Sequence, residues 1–368
     1  MRNLDKFRGC LIGGAAGDAL GYAVEFMGEA GIIRKYGEKG ITAYDLSDGK
    51  ALISDDTQMT LFTAAGLLRG TACGITADQP DRYAGAINLA YLDWLKTQER
   101  RFPLKEDPCA AWLVNVPELF SPRAPGNTCL AALHDGGNGT PERPINGSKG
   151  CGGVMRVAPI GLYFNDRGRK ITEICRIGAE AAALTHGHPL GWLPAAALVQ
   201  MIQEISQDEA GISEAALHSL DTVEEMWPET KERLIFTQLI RKAVDLAAGD
   251  IDDLQAIHRL GEGWVGEEAL AIAVYCAAKY ADDPDKALIA AVNHKGDSDS
   301  TGAIAGNMIG AKAGLSGIPA KYTEHLELKD LIIEVADDLW KDCRMNEQGG
   351  YDDPVWAEKY VDMRYPLK

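Results

Sequence analysis

Apolar residues recur at intervals of three and four through most of the chain, as at Ile87, Tyr91, Trp94 and Leu95 and again at Leu270, Val274 and Ala277. That spacing puts one apolar stripe on a helix, whereas the strict alternation of a half-buried strand is scarce. The pattern predicts helices over about 3–24, 55–69, 79–97, 170–185, 188–206, 211–222, 229–247, 265–280, 284–293, 301–314 and 325–343. The chain reads as all-α. Between about 102 and 153 the periodicity breaks, and prolines and glycines cluster in RAPGNT and HDGGNGTPERPINGSKGCGG. Long irregular stretches in compact domains are often binding loops. No compositionally distinct segment follows, so residues 1–368 are expected to form one compact multi-helix domain.

Glycine interrupts two of these helices at a regular step. Gly9, Gly13, Gly17 and Gly21 lie near the start, and Gly302, Gly306, Gly310 and Gly314 lie late in the chain. Residues i and i+4 share a helix face, so each series is a bare stripe. Each glycine costs its helix roughly 0.8–1 kcal/mol relative to alanine. Close packing of backbone on backbone is the compensating gain, and the two helices are expected at the centre, against each other.

Composition changes the picture in three respects. The 37 basic and 54 acidic residues leave a net charge of −17, which disfavours general binding to nucleic acid or an anionic membrane. The eight cysteines include no C-x-x-C pair, and no 18-residue apolar run or secretory leader pattern is present. A reducing, cytoplasmic setting is therefore expected. No repeat or coiled-coil segment points to an assembly.

The acids are placed where chemistry begins. Ser54-Asp55-Asp56-Thr57 precedes an apolar run and so opens a helix, a position that an ordinary N-cap also explains. Asp297-Ser298-Asp299-Ser300 opens another. Together Asp55, Asp56, Asp297 and Asp299 with Ser54, Thr57 and Ser300 form an all-oxygen donor set, suited to Mg²⁺, Mn²⁺ or Ca²⁺ rather than zinc. Four carboxylates suggest two ions. Asp18 reads as a satisfied buried carboxylate, and Glu25 as a candidate proton acceptor or gate. The glycine-rich Ser148–Gly153 is either a tight turn or a phosphate cradle. The pair His186 and His188 reads as a structural cap, a ligand contact by His186 or a metal site, and His294 as a support for the second acidic loop.

The ordered blocks GGAAGDALGYAVEF, SDDTQMT, GSKGCGGVMRVAPIGL, THGHP, GEGWVGEEALAIAVYCA and GDSDSTGAIAGNMIGA, from Gly13 to Ala311, resemble the ADP-ribosylglycohydrolase family. The resemblance implies an all-α fold around a dinuclear centre of two Mg²⁺, with Mn²⁺ suited to the same donors. It implies hydrolysis of the bond joining ADP-ribose to a protein side chain. By this resemblance Ser54, Asp55, Asp56, Asp297, Asp299 and Ser300 match metal ligands, with Ser at 300 where the family usually has Thr. Glu25 matches an acidic gate or water-positioning residue, and Asp56 or Glu25 would act as the catalytic base. Ser148, Gly150, Cys151 and Gly152 match the loop that holds ADP-ribose, with Cys151 in place of an Asn found in some members. His186 matches a substrate-contacting histidine near the distal ribose, and the Trp264 segment a border of the adenosine pocket.

The implied partners are ADP-ribosylated protein and ADP-ribose. Arginine is the expected acceptor, by likeness to the bacterial branch that reactivates dinitrogenase reductase. A non-catalytic ADP-ribose binder, a toxin-blocking immunity protein and a dinuclear-metal phosphohydrolase are the competing readings.

Overall fold

The computed structural model describes residues 2–75, 79–105, 108–164, 170–341 and 353–364, with residues 80 and 81 described by backbone alone. Cys343 and the end of the helix predicted over 325–343 lie outside the described residues. In chain order the helices are α1 (Leu4–Tyr22), α2 (Glu29–Tyr36), α3 (Asp55–Ala72), α4 (Pro80–Glu99), α5 (Asn127–His134), α6 (Ala158–Tyr163), α7 (Ile171–Ala183) and α8 (Pro189–Gln207). There follow α9 (Ile212–Met226), α10 (Glu232–Ala247), α11 (Asp253–Leu260), α12 (Gly266–Lys279), α13 (Pro284–Val292), α14 (Ser298–Ala313), α15 (Lys329–Lys341) and α16 (Pro354–Tyr360). Among the described residues there is no sheet, only four isolated bridges. No described helix is long and apolar enough to cross a membrane.

The two glycine-striped helices, α1 and α14, pack on each other antiparallel along their lengths. Gly9 faces Gly310, Gly13 faces Gly306, Gly17 faces Gly302 and Gly21 faces the Ser298 carbonyl. A Cβ at any of these glycines would fall within 3.0 Å of the partner's backbone, so only glycine permits the approach. Asn307 adds a bond across the seam from its Nδ2 to the Cys10 carbonyl at 2.9 Å. Both helices are buried over most of their residues. Their central position agrees with the sequence expectation.

Helix α14 begins three residues before the predicted 301, because the Asp297 side chain caps it by accepting from the Ser300 N–H at 3.3 Å. Five helices went unpredicted: α2, α5, α6, α11 and α16, of six to eight residues each. Segments of about two turns are too short to show a 3.6-residue period. One of them, α5, lies inside the stretch expected to be irregular. Single 3₁₀ turns at Trp112–Asn115, Pro117–Leu119 and Cys151–Gly153 also order that stretch, burying Trp112, Leu113 and Leu119. The C-terminal α16 is pinned by Lys359, whose buried ammonium meets Asp338 at 2.8 Å and Glu334 at 2.6 Å.

Candidate active site

The antiparallel seam brings the C-terminal end of α1 to the N-terminal end of α14, and the acids gather there. Asp18, fully buried on α1, is the organiser. Its two carboxylate oxygens each accept from the Ser54 N–H at 3.0 Å, and Oδ2 accepts from the Thr57 N–H at 3.2 Å and from the Thr57 hydroxyl. Asp18 thus satisfies N–H groups that the first turn of α3 leaves without helical partners. Ser54 Oγ accepts from the Asp56 N–H at 3.2 Å. With its own start satisfied in this way, α3 leaves Asp55 and Asp56 free to line a cavity of about 210 Å³.

Asp297, Asp299 and Ser300 at the start of α14 and Glu25 in the turn after α1 line the same cavity. Asp55 Oδ2 accepts from the Gly126 N–H at 3.2 Å, and the Cys151 thiol donates to Asp297 Oδ2 at 2.6 Å. Two buried oxygens, Asp56 Oδ2 and Glu25 Oε2, have no hydrogen-bond partner. Within the described residues no ion pair reaches any of these acids.

Burial in such company disfavours ionisation. Burial first, then the charges of Asp18 and Asp297, push Asp55 up to about 8 against the pull of the Gly126 N–H. Glu25 rises to about 8 by burial and the charges of Asp297, Asp55 and Asp18. Asp56 and Asp299 are driven well above the carboxylate range, again by burial first and by neighbouring carboxylates next. Asp18 is raised by burial to about 6, held back by its bonds from Thr57 and Ser54.

Such a cluster is stable with protons or with cations. Unpartnered oxygens and an all-oxygen donor set fit a hard divalent ion. Among the described residues no three acid, imidazole or thiol groups are drawn around one point as a finished coordination shell.

The glycine turn of Gly150, Cys151 and Gly152 lines the same cavity, with His186 beside it. A Cβ on Gly152 would come within 2.9 Å of Cys129 Sγ and His186 Cε1, and one on Gly153 within 2.6 Å of the Gly191 carbonyl. These positions require glycine. The Cys151 N–H donates to the Trp264 carbonyl at 3.3 Å, and the Gly266 N–H to the Lys149 carbonyl at 2.8 Å, which ties the turn to the segment preceding α12. His186 is buried, and burial together with the Arg156 charge lowers its pKa to about 3, so the ring is neutral.

At the rim the exposed Phe26 ring stacks on Trp264, centroids 6.2 Å apart and planes 22° from parallel. Beyond Trp264 lies a second groove of about 530 Å³ that includes Lys149, His258 and Lys295.

Of the residues singled out by sequence, Glu25, Asp55, Asp56, Gly150, Cys151, Gly152, His186, Asp297, Asp299 and Ser300 come together on one cavity. Ser54 and Ser148 do not line it. Ser54 is buried behind the wall as the α3 cap, and the Ser148 hydroxyl lies against Thr128 Oγ1 at 3.2 Å. His188 caps α8, accepting from the Leu190 N–H at 3.1 Å. His294 bonds to Thr301 and the Ala291 carbonyl, both at 3.0 Å, within the loop before α14. Sequence reasoning assigned no role to Asn127, Thr128, Cys129 and Met155, which also line the cavity. The Pro125–Thr128 motif was the available signal for the first two.

An all-helical fold with an acidic cavity facing a glycine turn defines the class, and comparison with known proteins agrees. The ADP-ribosylglycohydrolase family model matches residues 1–349. The chain belongs to the ADP-ribosylglycohydrolase family. It is similar to the ADP-ribosyl-[dinitrogen reductase] glycohydrolase of Rhodospirillum rubrum, 26% identical over 88% of this chain and 91% of that protein. It is also similar to ADP-ribosylhydrolase ARH3 of Bos taurus, 24% identical over 89% of this chain and 90% of the relative. A solved structure described as an ADP-ribosylglycohydrolase-related protein complex shares the fold with a TM-score of 0.59 at 22% identity, covering 92% of this chain and 98% of its own. Family membership carries the coarse activity, glycohydrolase removal of ADP-ribose from modified protein substrates, within a family known to depend on metal.

Proposed function

We propose that this chain is a Mg²⁺-dependent ADP-ribosyl-acceptor hydrolase that cleaves the glycosidic bond between ADP-ribose and an arginine side chain of a modified protein, and that residues 1–368 act as one catalytic unit. One observation carries the reading: buried acids with unpartnered oxygens on Asp56 and Glu25 line one cavity together with the Gly150–Gly152 turn and a neutral His186. Asp55, Asp56, Asp297, Asp299 and Ser300 would hold two Mg²⁺, and Mn²⁺ suits the same oxygens. When bound, the ions supply Lewis-acid polarisation and offset the charge of both the acids and the diphosphate.

The remaining steps belong to the chain's own groups. Backbone N–H groups of the glycine turn and His186 hold the ADP-ribose oxygens. Glu25 or Asp56 takes the proton from the water that attacks the anomeric carbon, a task suited to carboxylates made more basic than usual by burial. Nearby carboxylate charge stabilises the oxocarbenium-like transition state. Similarity to the ADP-ribosyl-[dinitrogen reductase] glycohydrolase of Rhodospirillum rubrum supports arginine as acceptor. The free thiols of the described cysteines fit a cytoplasmic setting.

The test is incubation with arginine- and serine-ADP-ribosylated protein, with Mg²⁺ or EDTA, following products by mass spectrometry. Release of intact ADP-ribose from the arginine linkage, abolished by EDTA, is the expected result. Release of AMP or phosphate instead would assign a phosphohydrolase. Tight ADP-ribose binding without turnover of either substrate would assign a binding protein.

A further inference from the structure

A fully buried arginine stands behind the glycine turn. Arg156 lies over the face of Tyr91, 4.3 Å from the ring centroid, and is fully enclosed. Its Nη2 donates to the Ala181 carbonyl at 3.1 Å and to Thr185 Oγ1 at 2.7 Å. Thr185, itself fully buried, lies 2.9 Å by the same oxygen from His186 Nδ1. These three residues make a chain from a fixed positive charge to the imidazole on the cavity wall.

The direction of each bond follows from the donor inventory. A guanidinium has donors and no acceptor, so Thr185 Oγ1 accepts from Arg156 and keeps one proton to give. Two acceptors are in reach, His186 Nδ1 at 2.9 Å and the Ala182 carbonyl at 3.4 Å, and the nitrogen is the nearer. A ring that accepts at Nδ1 and is neutral carries its proton on Nε2. That nitrogen faces the glycine turn: a Cβ on Gly150 or Gly152 would lie 3.2 or 3.3 Å from it.

We infer that Arg156 and Thr185 are positioning residues that hold His186 as its Nε2–H tautomer and so present a hydrogen-bond donor to an oxygen of ADP-ribose beneath the glycine turn. Ionised phosphate oxygens and the ribose ring oxygen accept only, and the opposite tautomer would set lone pair against lone pair. The inference rests on the proposed function, in which His186 touches the ligand.

Nitrogen-15 NMR of the full chain reports which ring nitrogen is protonated, with the His186 signals assigned by their loss in His186→Gln. The wild type is expected to show a single tautomer with Nδ1 unprotonated. Thr185→Val should give a tautomer mixture and weaken ADP-ribose binding in calorimetry about 3–10-fold, the loss of one neutral hydrogen bond. Thr185→Ser should restore both. Arg156→Lys, which shortens the reach to Thr185, should move the tautomer in the same direction as Thr185→Val.

An Nδ1–H tautomer in the wild type overturns the inference without recourse to any variant. An unchanged tautomer in folded Thr185→Val does so as well. If His186→Ala binds ADP-ribose as the wild type does, the ligand contact fails and the inference with it, while release of ADP-ribose by the wild type would leave the hydrolase reading standing. If the wild type neither binds nor releases ADP-ribose, both readings fall.

Discussion

Gly306→Ala probes the seam on which the acidic cavity depends. A Cβ at Gly306 would overlap the Gly13 carbonyl oxygen and come within 2.5 Å of its carbon and 3.0 Å of the Gly14 nitrogen. All three atoms are backbone of α1, so no side chain can rotate away, and the helices must part by on the order of 1 Å in a core packed near crystal density. Overpacking of this kind costs about 1–3 kcal/mol, with a rigid backbone neighbour at the upper end. Alanine's better helix propensity returns about 0.8–1 kcal/mol, leaving a net loss of roughly 2 kcal/mol.

Gly85 is the matched control. It sits exposed inside α4 with nothing within 4 Å of an added Cβ. There the propensity gain acts alone, and Gly85→Ala should be about 0.8–1 kcal/mol more stable than the wild type. Urea melts followed by far-UV circular dichroism measure both. Because Asp18 and Glu25 belong to the α1 side of the seam and Asp297 and Asp299 to the α14 side, Gly306→Ala should also weaken Mn²⁺ binding, and Gly85→Ala should not. A Gly306→Ala protein as stable as Gly85→Ala would refute the close-packed seam.

Asp55→Ala and Asp299→Ala should each lower turnover roughly 100-fold or more with the circular dichroism spectrum retained; full activity in both would remove the metal assignment. Stability should depend on pH with a definite sign. Asp55 and Glu25 sit near 8 in the fold against ordinary values of 3.8 and 4.5, so the folded, metal-free chain binds more protons across that window and loses stability as pH rises from about 4 to about 8. Cations displace those protons, so Mg²⁺ should raise the melting temperature more at pH 8 than at pH 6, and an equal or smaller rise at pH 8 would count against cation binding by these acids. Truncating Lys359 to Ala leaves the Asp338 carboxylate, only 8% exposed, without its cation. A loss of about 3–5 kcal/mol in the same urea melts is expected.

Much of the fold was legible along the chain. Long helices such as α3, α4, α8 and α12 bury wide faces, and burial imposes the apolar period that sequence displays. Helices α2, α5 and α11 have eight residues each, too few to repeat that period. At the site, the two acid clusters announced themselves because each opens a helix, where Asp and Ser suit the free N–H groups. Asp18 was recognisable as a buried carboxylate, but not as the group that caps α3 from another helix, a contact made through space. Cys129 and Met155 carry no local mark of their place on the cavity wall.

Sequence by itself therefore determined the helical class, the two bare glycine stripes, the acids at helix starts and the negative charge. Each is a property of neighbours within a few residues, where period, capping and propensity operate. Only the tertiary structure decided that Asp55 and Asp56 share a cavity with Asp297 and Asp299, that Ser54 and Ser148 do not line it, and that Arg156 reaches His186 through Thr185. These depend on how closely α1 and α14 approach and where α3 and the glycine turn are then held. That is set by the fit of surfaces distant in the chain, which no local pattern encodes.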